Sequence, residues 1–322
     1  MTIKPNAVFL GEPVMFEVYD GNAIRRIESL FDIQPALTSL DNAHQAEYVF
    51  STWGMPVLSE ARIATHLPRL RAVFYAAGTV QYFARPFLKR GVRIFSAWAA
   101  NAVPVAEFTV AQILLVNKGV FADIRQAGRT IHAEGRVGNY RTKIGVLGAG
   151  MIGKLVIDKL QTTDLDILVY DPFVPDEYLA SRGLERADLE RIFRDCHVVT
   201  NHVANLPATV GMLDYSLFSR MGPRTVFINT GRGAQVVEAD LIRALKEEPG
   251  RTALLDVTDP EPPPPESELR TLPNVFLTPH VAGSLANERS RMAAYVIGEA
   301  EAVLSGSQPR YEVTETMLDT MA

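Results

Sequence analysis

The sequence predicts an α/β protein of two domains: a Rossmann-type doubly wound parallel sheet and a flavodoxin-like parallel α/β domain. Three observations carry this. Short apolar runs alternate with helical stretches along the chain, the pattern of parallel strands joined by helical crossovers. A strand at 144–147 runs into Gly148-x-Gly150-x-x-Gly153 and then a helix over Met151–Leu160. The length, 322 residues, suits about two domains. The expected division is 1–101 with 284–322 for the flavodoxin-like domain and 102–283 for the Rossmann-type one.

In chain order, residues 7–10 and 47–51 read as strands. Between them, Ala23, Ile24, Ile27, Leu30 and Phe31 recur at the spacing of a helix over 22–31. A short helix over Glu60–His66 leads to strands at 72–76 and 92–95. Open α/β sheets bind ligands at the carboxyl ends of their strands, and Ala76-Ala77-Gly78-Thr79-Val80 stands at such an end. Its N–H groups could hold a small anion such as a carboxylate, or form a simple turn; the sequence leaves both open. Trp53 and Trp98 also follow strands of this half, as pocket walls or as core filling. A helix from Asn101 to about Val120, apolar on more than one face, reads as the buried passage into the second domain.

Residues 136–141 read as a polar loop leading to a strand that begins at Lys143. Past the glycine motif come strands at 166–170, 197–200, 225–229, 252–256 and 275–278, with a helix at 238–246. The run Pro262 to Pro265 between two of these strands reads as a stiff loop that fixes the backbone around Glu261. A long helix over 284–304 carries Met292, Val296, Ala300 and Val303 on one face, with Gly306 as its C-cap. It returns the chain to the first domain, and residues 308–322 read as a tail.

Each glycine of the motif has a physical reason. Gly148 permits the tight turn, Gly150 lets a pyrophosphate approach the backbone, and Gly153 lets the helix pack close. The first-turn N–H groups, at Met151 and Ile152, face the phosphates together with the positive end of the helix dipole. The next strand ends at Asp171, eighteen positions past Gly153, where an acid accepts hydrogen bonds from ribose hydroxyls. Pro172 and Phe173 follow, so no adjacent arginine is offered to a 2′-phosphate. The ordered set of strand, glycines, helix, strand and acid outweighs an ordinary glycine turn capped by Asp171. The second domain is therefore read as binding NAD (NADH) in preference to NADP.

Bulk properties exclude several classes. A net charge of −5 without a basic stretch argues against nucleic acid as a partner. Cys196 is the only cysteine, so no intrachain disulfide or cysteine-rich metal site can form, which fits a reducing cytoplasm. The first residues lack the apolar core of a signal peptide. The most apolar run, 103–116, is short for a bilayer and carries Glu107, so no membrane span is expected. No His, Asp or Glu spacing resembles a metal site, and no nucleophile motif such as Gly-x-Ser-x-Gly occurs.

Three residues at strand ends stand out: Arg232 in Asn229-Thr230-Gly231-Arg232-Gly233, Glu261 in the segment from Asp256 to Pro262, and His280 in the segment from Thr278 to Gly283. Singly, each reads as an ordinary surface or turn residue. Together, at the strand ends of one cofactor-binding sheet, they match the oxidation of a 2-hydroxy acid. A histidine takes or gives the hydroxyl proton. A carboxylate orients the ring and favours the imidazolium. A guanidinium holds the substrate carboxylate and polarises the keto oxygen through a planar fork. Thr230 and Asp256, in the same segments, are assigned to the cofactor side, as is His202 at the end of the 197–200 strand. His44, His66 and His132 read as surface residues and His197 as structural.

With these motifs in place, the chain resembles the D-isomer-specific 2-hydroxyacid dehydrogenases along nearly its whole length. The resemblance rests on Ala76 to Val80, Asn101 with Val105-Ala106-Glu107, Gly148 to Gly153, Asp171, Asn229 to Gly233, Asp256 to Pro262 and Thr278 to Gly283. It implies two α/β domains with a cleft between them, the substrate domain built from both chain ends, and a homodimer formed through the cofactor domain. It places the family's catalytic trio on Arg232, Glu261 and His280, and its substrate-binding backbone loop on Ala77, Gly78 and Thr79. The implied activity is NAD-dependent interconversion of a small 2-keto acid, of the glyoxylate or hydroxypyruvate type, with its D-2-hydroxy acid. Two alternatives are 3-phosphoglycerate dehydrogenase and an NAD(H)-sensing binding protein or corepressor without turnover.

Overall fold

The computed structural model describes residues 3–125 and 136–321; the surface position expected for His132 lies outside them. Its strands are β1 Ala7–Phe9, β2 Tyr48–Ser51, β3 Ala72–Tyr75, β4 Arg93–Ser96, β5 Tyr140–Leu147, β6 Asp164–Tyr170, β7 Glu185–Arg186, β8 Val198–Asn201, β9 Val226–Asn229, β10 Thr252–Leu255, β11 Val275–Leu277 and β12 Glu312–Val313. The chain divides into two compact units, Met1–Ala102 with Ser284–Ala322, and Val103–Gly283.

In the first unit the sheet order is β1-β2-β3-β4-β12, parallel from β1 to β4. Bridges from Asn6 to Asp32 and from Phe9 to Leu37 lay residues 32–37 along the free side of β1. With that segment counted, the chain order across the sheet is second, first, third, fourth, fifth, the flavodoxin order. Alternate residues of the strands enter opposite cores. Phe9, Phe50, Phe74 and Phe95 face Ile27 and the Arg289–Ser305 helix, while Val49, Val73, Tyr75 and Ile94 face Ile63, Phe83 and Phe87. Phe74 stacks on Phe50 and Phe95 at centroid distances of 5.1 and 5.2 Å.

Two sequence expectations are corrected here. Of the expected tail over 308–322, the described residues 308–321 are part of the fold. Glu312 and Val313 add to the sheet antiparallel to β4, Arg93 forks onto Glu312 at 2.8 and 2.6 Å, and Leu318 is buried in the core. A two-residue strand shows no period, which is why the pattern missed it. The long helix starts at Arg289, because a 3₁₀ turn over Ala286–Glu288 precedes it and Glu288 Oε2 accepts from Leu285 N at 2.9 Å. Gly306 caps the helix at φ +73°, as expected.

In the second unit every pairing is parallel and the order is β11-β10-β9-β8-β5-β6-β7. This is the doubly wound Rossmann order, with the change of winding between β5 and β8, where such sheets bind ligands. Ile144, Val146, Ile167, Val198 and Ile228 pack on one face, and Leu147, Leu168, Val199 and Phe227 on the other. The apolar helix runs Trp98–Asn117, about three residues earlier at both ends than the expected Asn101 to about Val120. By length and composition it could cross a membrane, but Ala106 and Ile113 sit in the core of this unit. β5 begins at Tyr140 rather than Lys143. Its first residues are exposed and its register shifts between Tyr140 and Lys143, so no alternation marks them.

Candidate active site

β5 and β8 leave the sheet side by side, and their ends build the glycine loop. Gly148 has φ +85°, and its N donates to Tyr170 O at 2.7 Å. A Cβ there would lie 2.7 Å from the carbonyl oxygen of His202, and a Cβ on Gly153 would lie 1.9 Å from that of Gly148. Both glycines are required by the fold itself. Gly150 differs: it is the N-cap of the Met151–Leu160 helix, no side chain caps it, and a Cβ there would meet nothing within 4 Å. The first helical bond runs from Lys154 N to Gly150 O, so the amides of Met151, Ile152 and Gly153 point out of the helix end. An open approach to uncapped N–H groups fits a pyrophosphate.

Asp171 binds the loop to the end of β6. Its Oδ2 accepts from Ala149 N at 2.6 Å, and its Oδ1 from Phe173 N and Val174 N at 2.7 and 2.8 Å. An arginine does lie beside it, although none follows it in sequence. Arg186 of β7 donates to the carbonyls of Asp171 and Val174, and its charge is matched by Asp176 at 2.7 Å. Neighbouring strands bring together residues that sequence order keeps apart.

His202 lies beneath the loop. Its Nε2 is 3.0 Å from Thr200 Oγ1 and its Nδ1 3.5 Å from Thr230 Oγ1, which in turn contacts Thr109 Oγ1 at 3.1 Å. Burial pushes its pKa down to about 3, so the ring is neutral. Its carbonyl, not its ring, faces Gly148.

His280 and Glu261 meet. Nδ1 lies 2.6 Å from Glu261 Oε1, with the side chains 47% and 39% exposed. A carboxylate only accepts, so Nδ1 carries the hydrogen and Nε2 is the free position. The peptide bonds on both sides of the Pro260-Glu261 pair, Asp259–Pro260 and Glu261–Pro262, are cis. His280 sits at φ +54°, a left-handed conformation that costs a non-glycine residue roughly 1–2 kcal/mol. Asp256 holds it there. Its main-chain oxygen accepts from His280 N at 3.0 Å, and its buried carboxylate accepts from Thr278 Oγ1, Val281 N and Ala282 N at 2.5, 2.9 and 2.9 Å. Arg232 follows β9, half-buried, with Nη1 donating to Gly231 O at 2.7 Å. Burial lowers its pKa and the Glu261 carboxylate works against that, so the two charges sense each other.

Sequence reasoning missed three amides under the Arg232 loop. Asn201, Asn229 and Gln235 are buried and bonded to one another. Their only signal was a polar residue closing a strand that is otherwise apolar, at Asn201 and again at Asn229.

In the first unit, Ser96 Oγ lies 2.9 and 2.6 Å from the carbonyls of Ala77 and Gly78. Among the described residues, the N–H groups of Ala77, Gly78 and Thr79 donate to no backbone or side-chain acceptor. Asn101 Oδ1 accepts from Ser284 N at 2.9 Å, and its Nδ2 lies 3.5 Å from where a Cβ of Gly78 would be. This is an array of donors with no acceptor of its own, so the anion-holding alternative gains over a simple turn. Trp53 packs against both cores of this unit, and Trp98 packs edge-on against Tyr311. Arg85 is paired with Asp319 at 3.0 Å. His44 is exposed, His66 pairs with Asp41 at 3.3 Å, and burial lowers the pKa of His197. No group of metal-ligating side chains occurs among the described residues.

Comparison with known proteins places this geometry in context. Residues 116–282 match the family model described as D-isomer specific 2-hydroxyacid dehydrogenase, NAD binding domain. A glyoxylate reductase of Korarchaeum cryptofilum is 30% identical over 258 residues, which cover 78% of each chain. A D-3-phosphoglycerate dehydrogenase of Archaeoglobus fulgidus is 30% identical over 207 residues, 61% of this chain and 38% of that one. The chain spans between 38% and 59% of the length of three of the curated relatives it matches. Among solved structures, a phosphoglycerate oxidoreductase from Rhizobium etli superimposes with TM-score 0.79 at 23% identity, covering 98% of this chain and 100% of that one. The NAD-complexed D-isomer specific 2-hydroxyacid dehydrogenase from Lactobacillus delbrueckii gives 0.76 at 20% identity, covering 96% and 100%. These two likenesses speak to the fold.

Proposed function

The chain belongs to the D-isomer specific 2-hydroxyacid dehydrogenase family, and from that premise we propose that it interconverts a small 2-keto acid and its D-2-hydroxy acid using NAD(H). The observation that carries the reading is the His280–Glu261 pair at 2.6 Å, beyond the carboxyl ends of the sheet that also bears the glycine loop. In the reductive direction, His280 gives the Nε2 proton to the keto oxygen as it becomes a hydroxyl. Glu261 keeps the ring oriented through Nδ1 and offsets the imidazolium charge. Arg232 holds the substrate carboxylate and draws electron density from the keto oxygen. Asp256, which holds the His280 turn, and Thr230 are proposed as cofactor-side residues. When bound, the reduced nicotinamide supplies the hydride.

Gly148, Gly150, Gly153, Met151 and Ile152 are proposed to hold the pyrophosphate and Asp171 the ribose, with His202 backing the loop. Ala77, Gly78 and Thr79 are proposed as further carboxylate-binding residues, on the strength of their free N–H groups. A phosphorylated substrate would call for spare basic residues, and Arg85 is already tied to Asp319. Unphosphorylated acids of the glyoxylate or hydroxypyruvate type therefore come first. Lys89 and Arg90, which also follow the 77–79 loop, are exposed and in no ion pair among the described residues, so 3-phosphoglycerate stays as the alternative. A homodimer in the cytoplasm completes the reading; light scattering near twice 35.5 kDa would support the dimer.

The test is loss of reduced-nicotinamide absorbance with NADH and NADPH in turn. The acids are glyoxylate, hydroxypyruvate, phosphohydroxypyruvate, pyruvate and bulkier 2-keto acids. Turnover with NADH and one acid is expected. Tight NADH binding with no turnover on any acid would overturn it in favour of an NAD(H)-sensing protein.

A further inference from the structure

The amides beneath Arg232 form a closed circuit. Asn201 uses both hydrogens of Nδ2, one to Asn229 Oδ1 at 3.1 Å and one to Gln235 Oε1 at 2.6 Å. Its Oδ1 accepts from Val203 N at 3.2 Å. Gln235 Nε2 donates to Val203 O at 2.6 Å. Asn229 Oδ1 also accepts from Gly231 N at 3.0 Å, and its Nδ2 donates to Arg232 O at 3.0 Å. The three side chains are 0%, 1% and 0% exposed. Turning any one amide over would set N–H against N–H, so the pattern admits one orientation only.

The circuit grips the catalytic loop on both sides of the Gly231–Arg232 peptide, by the N–H of Gly231 and the carbonyl of Arg232. The carbonyl of Gly231 then receives Arg232 Nη1 at 2.7 Å. Space is closed as well: a Cβ on Gly231 would lie 3.1 Å from Asn201 Nδ2 and 3.3 Å from Gln235 Oε1. At its other end the circuit holds Val203, whose N would lie 2.9 Å from a Cβ on Gly148. Two apolar side chains at positions 201 and 235 would fill the same volume without needing partners. Two amides buried at the ends of β8 and β9 and a third on the turn Gly233–Gln235 cost desolvation that a purely structural contact does not require.

We propose that Asn201, Asn229 and Gln235 are positioning residues that aim the Arg232 guanidinium at the substrate carboxylate, and that Asn201 and Gln235 also join the Arg232 loop to the strand end behind the glycine loop. This rests on the assignment of Arg232 to substrate binding.

The experiment uses the full chain with NADH and glyoxylate as probe, and compares Gln235→Leu, Asn201→Leu with Gln235→Leu, Gln235→Glu and Arg232→Ala. Gln235→Leu is expected to raise KM for glyoxylate at least tenfold, to change kcat less, and to leave the Kd for NADH within about threefold. It leaves Asn201 short of an acceptor, so the melting temperature also falls. The double variant removes the unpaired Asn201 amide as well and should recover part of the melting temperature, the Val203 N–H and carbonyl still lacking their side-chain partners, yet its KM should stay raised. Gln235→Glu keeps the acceptor for Asn201 and should restore part of the KM. A KM that returns to normal together with the melting temperature in the double variant would overturn the proposal. So would a normal KM in Gln235→Leu while Arg232→Ala is impaired, which leaves the role of Arg232 standing. A normal KM in Arg232→Ala would overturn the assignment of Arg232 itself, and the aiming role with it.

Discussion

Replacing two glycines of the same loop should separate the fold's needs from the ligand's. At Gly148 an alanine must take φ +85° and bring its Cβ within 2.7–2.9 Å of backbone atoms of His202 and Val203. The left-handed conformation costs roughly 1–2 kcal/mol and the overpacking roughly 1–3 kcal/mol, so Gly148→Ala should lose about 2–5 kcal/mol of stability. At Gly150 the backbone is at φ −72° and the new Cβ meets nothing. An alanine N-cap is worse than glycine by roughly half a kcal/mol, while the smaller unfolded-state entropy returns about 0.4–1 kcal/mol. Gly150→Ala should therefore unfold in urea within about 0.5 kcal/mol of the wild type. Its methyl group, however, occupies the approach to the amides of Met151 and Ile152. Displacing a pyrophosphate from one such charge-assisted bond costs about 1.5–3 kcal/mol, a loss in NADH affinity of roughly 10- to 150-fold. Urea titration and calorimetric NADH binding read the two effects separately. If Gly150→Ala binds NADH within twofold of the wild type, the pyrophosphate does not pass Gly150 and the cofactor placement is wrong.

Three further outcomes follow from the site. His280→Ala and Glu261→Gln should each lower kcat for the 2-keto acid at least 100-fold while NADH affinity, by fluorescence titration, stays within twofold; near-normal turnover of His280→Ala would remove it as the proton donor. His202, with its folded pKa of about 3 below an unfolded value of 6.5, remains unprotonated when the unfolded chain takes up its proton. The penalty is absent above pH 6.5 and grows as pH falls towards 3. At pH 5 it amounts to about 2 kcal/mol, so wild type should lose that much more stability than His202→Asn between pH 7.5 and 5, and equal losses would refute it. Cys196 is buried and its thiol is pushed up to about 12 by burial, so a thiol reagent such as DTNB should react only with urea-unfolded protein; rapid reaction of the native chain would contradict the burial.

What the sequence makes legible here follows the range over which each signal acts. The glycine loop, the Met151–Leu160 helix and Asp171 were readable because turn, dipole and strand end all lie within one βαβ unit, and the parallel α/β class because its strands repeat a local pattern. Arg186 was not readable. It stands fifteen residues beyond Asp171 and reaches that residue's carbonyl only because β7 pairs with β6. β12 failed for the same reason, since its partner β4 is more than two hundred residues away and two paired residues carry no period. The amide circuit fails most instructively. Asn201 and Gln235 are thirty-four positions apart, and each by itself is an ordinary polar residue. Only the register of β8 against β9, Asn201 beside Asn229, and the turn Gly233–Gln235 that follows β9 make them one buried group beneath Arg232. The hint in the sequence was an anomaly of kind, an amide ending each of two neighbouring buried strands. A buried amide without a partner is too costly to persist, so such a residue implies a partner that the sequence cannot name. Sequence order thus exposes the candidate ligand-binding residues at strand ends, while the residues proposed to aim them become visible only through strand pairing.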